Sequence, residues 1–454
     1  MVKVTLVYPF FKPSNDNSIF RFPPLGLGYI AASLIKQGVA VELVDCTFLT
    51  REEALAKVKR SKPQIIGFYS MFSMKKTTMK LAASLQKDCE LLVVGGPLPT
   101  LEPMSYLDVF DVAVQGEGEE AMVEIAECHR KGIDLSCVKG IAYKDNGVVK
   151  FTLPRNHVED LDSLPFPSRD LFDNEAYKQH YVTRFGYSIS PLITSRGCPF
   201  SCDFCSRPVF GQNFRARSAG NVVDEVEELV GLGYDRVWFA DDCFTLNRER
   251  LLDVCDELVN RKVDVSWECL SRVDTMDREV AARMRRSGCV RVFFGIESGT
   301  NEVLGLMQKQ ITVKQARKAV HGAKEAGLRV GAFFILGYPG ESDETVLDTV
   351  RFASGLPLDY LSFTLPYPIP GTALFERVKG NGGLAVDDWE EPKNWALIRH
   401  KLLCNSGFSE AKLKFAIGKA HVQFYCKRYL GRKGYNLVGS LFERATDMAF
   451  KLMK

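Results

Sequence analysis

The feature that most constrains this chain is an alternation of short apolar strands with amphipathic helices, running twice along the sequence and broken once. In residues 1–140 strand patterns fall at 2–9, 39–46, 63–70 and 90–97, with a strand and turn at DVAVQGEG. Helical patterns stand between them, the first over 25–38 and closed by Gly38. Alternation at this pitch predicts a doubly wound parallel sheet with helices on both faces. Ligands of such sheets bind outside the carboxyl ends of the strands. Those ends carry Tyr8-Pro9, Asp45-Cys46, Ser70, Gly95-Gly96 and Gly116-Glu117-Gly118.

Residues 141–185 change character. Asp145-Asn146-Gly147 between strand-like flanks predicts a hairpin, and the proline-spaced polar stretch LDSLPFPSRDLF reads as a linker. Alternation resumes over 186–375 with about six β/α units, which predicts a partial (β/α)6 barrel of TIM type. Its strand ends carry Arg196-Gly197-Cys198, Asp241-Asp242, Arg272, Glu297-Ser298 and Gly337. The α/β fold ends in a mainly helical region, 376–454, where ten Lys or Arg face two acidic residues from Ala411 onward.

The segment RGCPFSCDFCSRP sets Cys198, Cys202 and Cys205 at C-x3-C-x2-C spacing. Thiolates favour iron–sulfur clusters, and this spacing lets one loop wrap a cluster. Three ligands rather than four leave one iron of a cubane open to a further molecule. The alternatives are three unpaired thiols, or a zinc site with a distant fourth ligand. The position directly after a strand, with Gly197 and Pro199 shaping the loop, favours the cluster.

With Phe204 as the aromatic before the last cysteine, the motif resembles that of the radical SAM superfamily. The resemblance implies a 4Fe–4S cluster on Cys198, Cys202 and Cys205 whose open iron chelates S-adenosylmethionine. One electron from it then yields methionine and a 5′-deoxyadenosyl radical. The cofactor carries the difficult chemistry while the protein positions it. By the same resemblance Arg272, Glu297 and Ser298 are expected as SAM contacts, and Gly337 with Pro339 as the strand end beside adenine. Asp241 and Asp242 would bind SAM or substrate, or orient Arg272. No residue is assigned to acid–base catalysis, since hydrogen abstraction needs none.

The stretch FPPLGLGYIAASLIKQG, with VDC, GFYSMF and VVGGPLPT, resembles the cobalamin-binding domain of one radical SAM subclass. This implies a Rossmann-like domain over 1–140 in which Pro24, Gly26 and Gly28 let a helix start approach cobalamin. Ser70, Gly95 and Gly96 would admit its nucleotide tail. The D-x-H-x-x-G signature is absent and no histidine precedes His129, so the cobalt would lack a histidine below it, or the domain would serve only packing or substrate recognition.

Together these features imply a cobalamin-dependent radical SAM enzyme, with C-methylation at an unactivated carbon as the leading expectation. Cyclisation or rearrangement without methyl transfer is the first alternative. A methylthiolation enzyme needs a second cysteine constellation, which Cys46, Cys89, Cys128 and Cys137 do not form. A cluster-bearing scaffold would have no use for an open iron. Expected partners are a small or lipid-like substrate and a one-electron reductant such as ferredoxin or flavodoxin. A net charge of +3 gives no reason to expect nucleic acid.

Thirteen cysteines without a secretory leader suit a reducing, cytoplasmic setting. Most read as core fillers, while Cys46 and Cys243 lie at strand ends where burial competes with an active-site position. The aromatic and basic C-terminal stretch suggests a solvated capping helix or peripheral contact with a membrane surface.

Overall fold

The structure is a computed structural model that describes residues 2–12, 18–207, 209–380, 383 and 401–453. Its described residues divide into two compact units. The first runs to Pro199 and adds Arg207–Val237, while the second holds Phe200–Ser206 and the chain from Trp238 onward.

In the first unit β1 (Lys3–Tyr8), β2 (Ala40–Asp45), β3 (Ile65–Tyr69), β4 (Leu91–Gly95) and β5 (Val112–Val114) form a parallel sheet, as the alternation predicts. The hairpin β6 (Ile141–Asp145) and β7 (Val148–Phe151) extends it antiparallel, giving the order β2-β1-β3-β4-β5-β6-β7. Asn146 and Gly147 take φ of +50° and +81°, the left-handed pair of a tight hairpin turn. Sequence reading set this hairpin in the linker segment. The structure joins it to the sheet because β6 supplies the partner that β5 needs on its open edge.

Alternate side chains serve opposite faces, as strand geometry requires. Val4, Leu6, Ile65 and Val93 pack with the helices Leu25–Lys36 and Glu119–Lys131. Val7, Ile66, Phe68 and Val94 pack on the other side with Val58, Leu81 and Leu85. Strand order reverses between β1 and β3, and a doubly wound sheet opens its ligand crevice at such a point.

The linker also holds a helix that its proline-spaced sequence hides, Asn174–Phe185. Asp173 caps it by accepting the Ala176 N–H at 3.1 Å. Its buried Tyr177 donates to Asp45 Oδ2 at 2.7 Å, pinning the helix to the end of β2.

Strands β8 (Ile189–Leu192), β9 (Ser195–Arg196), β10 (Arg215–Ala216) and β11 (Arg236–Phe239) follow. In the second unit β12 (Ser266–Ser271), β13 (Cys289–Glu297), β14 (Arg329–Ile335) and β15 (Tyr360–Thr364) pair in parallel in that order. The helices Arg278–Arg286, Val313–Glu325 and Asp343–Gly355 intervene. This is the β/α repeat expected of the barrel.

The C-terminal segment Glu410–Leu452 is helical, but it doubles back on itself. Lys419 pairs with Asp447, and Lys427 lies 3.6 Å from Glu443. An unbroken helix at about 1.5 Å per residue would hold the first pair about 42 Å apart. Residues 381–382 and 384–400 of the expected C-terminal region lie outside the described residues.

Candidate active site

The loop bearing the three cysteines is pinched at its base by the antiparallel pairing of Arg196 with Arg215. Gly197 takes φ +84°, and a β-carbon there would lie 2.2 Å from the Asn213 carbonyl oxygen, so only glycine fits. The Cys198 N–H donates to Gly211 O at 3.3 Å, and Arg207 donates to Cys198 O at 2.5 Å. These bonds hold the first cysteine by its backbone.

Below it lies a charged network that sequence reasoning missed. Glu117, at the end of β5, accepts from Arg196 at 3.1 Å and Arg215 at 2.9 Å through Oε1. Its Oε2 accepts the Val158 N–H at 2.7 Å. Glu119 takes the other arm of Arg196 at 2.6 Å. All four side chains are buried. Glu225, itself fully buried, accepts from Arg169 at 2.5 Å and also from Arg217. Buried guanidinium and carboxylate groups persist only when paired in this way.

The later part of the loop is anchored in the second unit. Asp203 accepts from the Tyr338 hydroxyl and pairs with Arg377 at 2.9 Å. Its backbone carbonyl takes the Leu374 N–H at 2.9 Å. Phe204 meets Tyr338 edge-on at 6.5 Å and packs with Val303, Met307 and Leu374.

Each aromatic between the cysteines carries a cation over its ring. Arg272 lies 3.4 Å from the centre of Phe200, and the Lys309 ammonium 5.6 Å from that of Phe204. Arg272 is fixed by Asp274, which accepts from Nε at 2.9 Å and Nη2 at 2.8 Å. Asp274 is therefore a carboxylate partner of Arg272.

Lys309 donates to Glu297 Oε1 at 3.0 Å. Burial alone would lower its pKa, but Glu297 and then Cys202 outweigh that and hold it above the ordinary lysine value. Glu297 itself sits at φ +71°, rare for a side chain of this size, beyond a register shift in β13. It does not cap the following helix, because Thr300 does so by accepting the Val303 N–H.

The remaining expected residues divide by surroundings. The Ser298 hydroxyl stands 3.1 Å from Thr349 Oγ1 and accepts the Thr300 N–H at 3.2 Å. Gly337 takes φ +79° against Leu413, and its N–H is held by Glu341 at 2.7 Å. The same carboxylate oxygen takes the Tyr338 N–H at 2.8 Å, while burial pushes the Glu341 carboxyl up to about 8. Asp241 is buried within electrostatic reach of Cys269. Cys46 and Cys243 are buried, as the filler reading expects.

At the rim of the parallel sheet, Ser70 is fully buried and its hydroxyl lies 2.7 Å from that of Tyr106. Gly96 closes on the Ser70 backbone, and Gly95 on the Val114 side chain. These three residues form one packed corner. Gly28 is small because Phe172 and Pro167 press on it, not to meet a ligand. Pro24 precedes the helix and is buried, whereas Gly26 and Gly116 face open space. Gly26 lies on the helix that follows β1, one of the two strands at the order reversal.

The donor chemistry of Cys198, Cys202 and Cys205 fits a three-ligand cluster. None of the three is in a disulfide; the first two are half-buried and the last is exposed. Among the described residues no set of three or more His, Cys, Asp or Glu side chains already stands as a metal cage. The three are thus related by their loop.

Comparison with known proteins bears on both regions. The radical SAM superfamily matches residues 192–353, and the B12 binding domain family matches residues 15–126. An uncharacterized methyltransferase of Pyrococcus horikoshii is 34% identical over 442 residues, covering 94% of this chain and 93% of the relative. An anaerobic magnesium-protoporphyrin IX monomethyl ester cyclase of Cereibacter sphaeroides is 27% identical, covering 83% and 64%.

Among solved structures, the cobalamin-dependent S-adenosylmethionine radical enzyme OxsB, with aqua-cobalamin and S-adenosylmethionine bound, superposes with a TM-score of 0.76. It is 19% identical, and the match covers 100% of this chain and 72% of OxsB. The radical S-adenosylmethionine methyltransferase TsrM of Kitasatospora setae, with cobalamin and a [4Fe-4S] cluster, superposes at 0.71. It is 20% identical, with coverage of 85% and 79%. At these identities the two structures support the fold.

Proposed function

Because the chain belongs to the radical SAM superfamily and carries a B12-binding domain, we propose that it is a cobalamin-dependent radical SAM C-methyltransferase. The observation that carries this reading is the three-cysteine loop, its aromatics covered by Arg272 and Lys309, in a chain that also carries the B12-binding domain and resembles a methyltransferase along nearly its whole length. Bound there, a 4Fe–4S cluster and cobalamin would supply the electron that cleaves S-adenosylmethionine and the methyl group delivered to a substrate carbon.

Cys198, Cys202 and Cys205 hold the cluster in this account, and Phe204 packs its loop. Lys309 and Arg272 neutralise the carboxylate of S-adenosylmethionine, and Glu297 takes its ammonium or ribose hydroxyls. Asp241 lines the same strand ends. Ser298 and Gly337 shape them, the first through Thr349 and the second through Glu341. Pro24, Gly26, Ser70, Gly95 and Gly96 would hold cobalamin in this reading. We assign 1–140 to this domain, 141–185 to the hairpin and linker, 186–375 to the barrel and 376–454 to a helical C-terminal region. The substrate is a small molecule, and an external one-electron donor serves the cluster.

One experiment separates methylation from cyclisation without knowledge of the substrate. The anaerobically reduced, cobalamin-loaded protein is mixed with S-adenosylmethionine, and the nucleoside products are counted. S-adenosylhomocysteine in proportion to bound cobalamin supports methyl transfer. 5′-Deoxyadenosine with no S-adenosylhomocysteine sinks it and favours the cyclase class.

No helix among the described residues is long and apolar enough to cross a membrane. A cytoplasmic setting is supported by thirteen cysteines, none of them in a disulfide. Peripheral contact with a membrane surface is a subsidiary reading, favoured by the exposed Val422, Tyr425, Tyr429 and Leu430 at helical spacing. Liposome flotation with and without residues 411–454 tests it, and equal flotation would end it.

A further inference from the structure

Outside the site described above, two thiols of the first unit stand together. Cys128, buried on the helix Glu119–Lys131, has its sulfur 3.3 Å from that of Cys137 in the short turn Leu135–Cys137. Cys137 is exposed, and its thiol donates to Asp134 O at 3.4 Å. The turn is held by Asp134, whose Oδ1 accepts the Ser136 N–H at 2.8 Å. The sulfurs are inside ordinary van der Waals contact, and bonding would bring them to about 2.0 Å.

We propose that Cys137 and Cys128 form a thiol modification site that reacts with a low-molecular-weight disulfide such as oxidised glutathione, with Cys137 as the attacking and Cys128 as the resolving sulfur. The Cys137 thiolate attacks one glutathione sulfur, the glutathione S–S bond breaks, and one glutathione leaves as its thiol. Cys128 then gives up its proton and attacks Cys137, expelling the second glutathione. The two protein thiols lose two electrons and two protons, and the glutathione disulfide gains them as two thiols.

The order of attack follows from exposure. Burial first, and the Cys137 thiol next to it second, push Cys128 up to about 12, so it is a poor initial nucleophile. Once Cys137 is a mixed disulfide, that second influence is gone and the resolving sulfur is already in contact. The helix end and the turn are then tied by a short covalent ring.

The test is peptide mapping of the cluster-loaded protein after exposure to oxidised glutathione under anaerobic conditions. Free thiols are trapped by alkylation in denaturant before digestion. In wild type the segment holding Cys128 and Cys137 should lack two hydrogens, carry no alkyl group, and recover both thiols on reduction. In Cys128→Ser a stable glutathione adduct should remain on Cys137. In Cys137→Ser, Cys128 should stay unmodified during exposure and alkylate only in denaturant. A lasting adduct on Cys137 in wild type, or full alkylation of both residues after the same exposure, would overturn the proposal.

Discussion

Glu117→Gln should destabilise the protein far more than any exposed charge substitution. Glu117 is 5% exposed and serves two guanidiniums and one backbone N–H. Arg196 would keep Glu119 at 2.6 Å. Arg215 would be left with the carbonyls of Val158 at 2.6 Å and Phe210 at 3.2 Å, and no compensating charge. Removing one member of a buried pair typically costs about 3–5 kcal/mol, because the remaining charge stays in a poorly solvating interior. Glutamine preserves shape and leaves an oxygen acceptor, so the lower half of that range is expected. Glu279, whose pair with Arg248 is exposed, is the control. Exposed pairs contribute about 0.2–1 kcal/mol.

The assay is denaturant unfolding of both variants followed by circular dichroism, with the free-energy change taken from the midpoint shift at the wild-type slope. If Glu117→Gln costs no more than Glu279→Gln, the network stabilises nothing and the reasoning fails. If the cost is large, Gly197→Ala should add a second signature. Its β-carbon would collide with Asn213 O, so cluster occupancy after reconstitution should fall even where folding is retained.

Other expectations follow from the same geometry. Lys309→Met should weaken binding of S-adenosylmethionine about 10- to 100-fold, since a hydrogen bond from a charged donor contributes about 1.5–3 kcal/mol. Equilibrium dialysis reads this, and unchanged affinity would remove Lys309 from the site. Glu341 has a folded pKa raised to about 8 from an ordinary 4.5. The unfolded state therefore loses its proton first as pH rises, and wild type loses stability between about pH 4.5 and 8. Glu341→Gln should flatten that dependence, so that its unfolding midpoint gains on wild type across the window. Parallel pH profiles would show that Glu341 does not titrate as described.

What sequence reasoning could reach depended on how local the signal was. The strands of the first sheet announce themselves through runs such as VKVTLVY and ELLVVGG, and the turn at Asn146-Gly147 through its two left-handed residues. The cysteine spacing is local as well. The helix Asn174–Phe185 was not legible because its apolar positions are few and its stability comes from Tyr177 reaching Asp45.

Lys309 lies beyond a short helix from Glu297, and nothing in its neighbours marks it until the chain folds it onto Phe204. Arg196, Arg215, Glu117 and Glu119 look like surface charges in one dimension. Only the pairing of β9 with β10, beside the end of β5, turns them into a buried network. Gly28 shows the converse. A small residue at a helix start reads as room for a ligand, yet there the Phe172 ring occupies that room.

The central claim is a 4Fe–4S cluster held by Cys198, Cys202 and Cys205 in a protein that also binds cobalamin. Its most direct test is iron and cobalt analysis, with the optical spectrum, of protein purified anaerobically with cobalamin and reconstituted. The account predicts about four irons and about one cobalt per chain in wild type, with the iron lost when all three cysteines become alanine. No cluster in wild type, or an intact cluster in the triple variant, would contradict it.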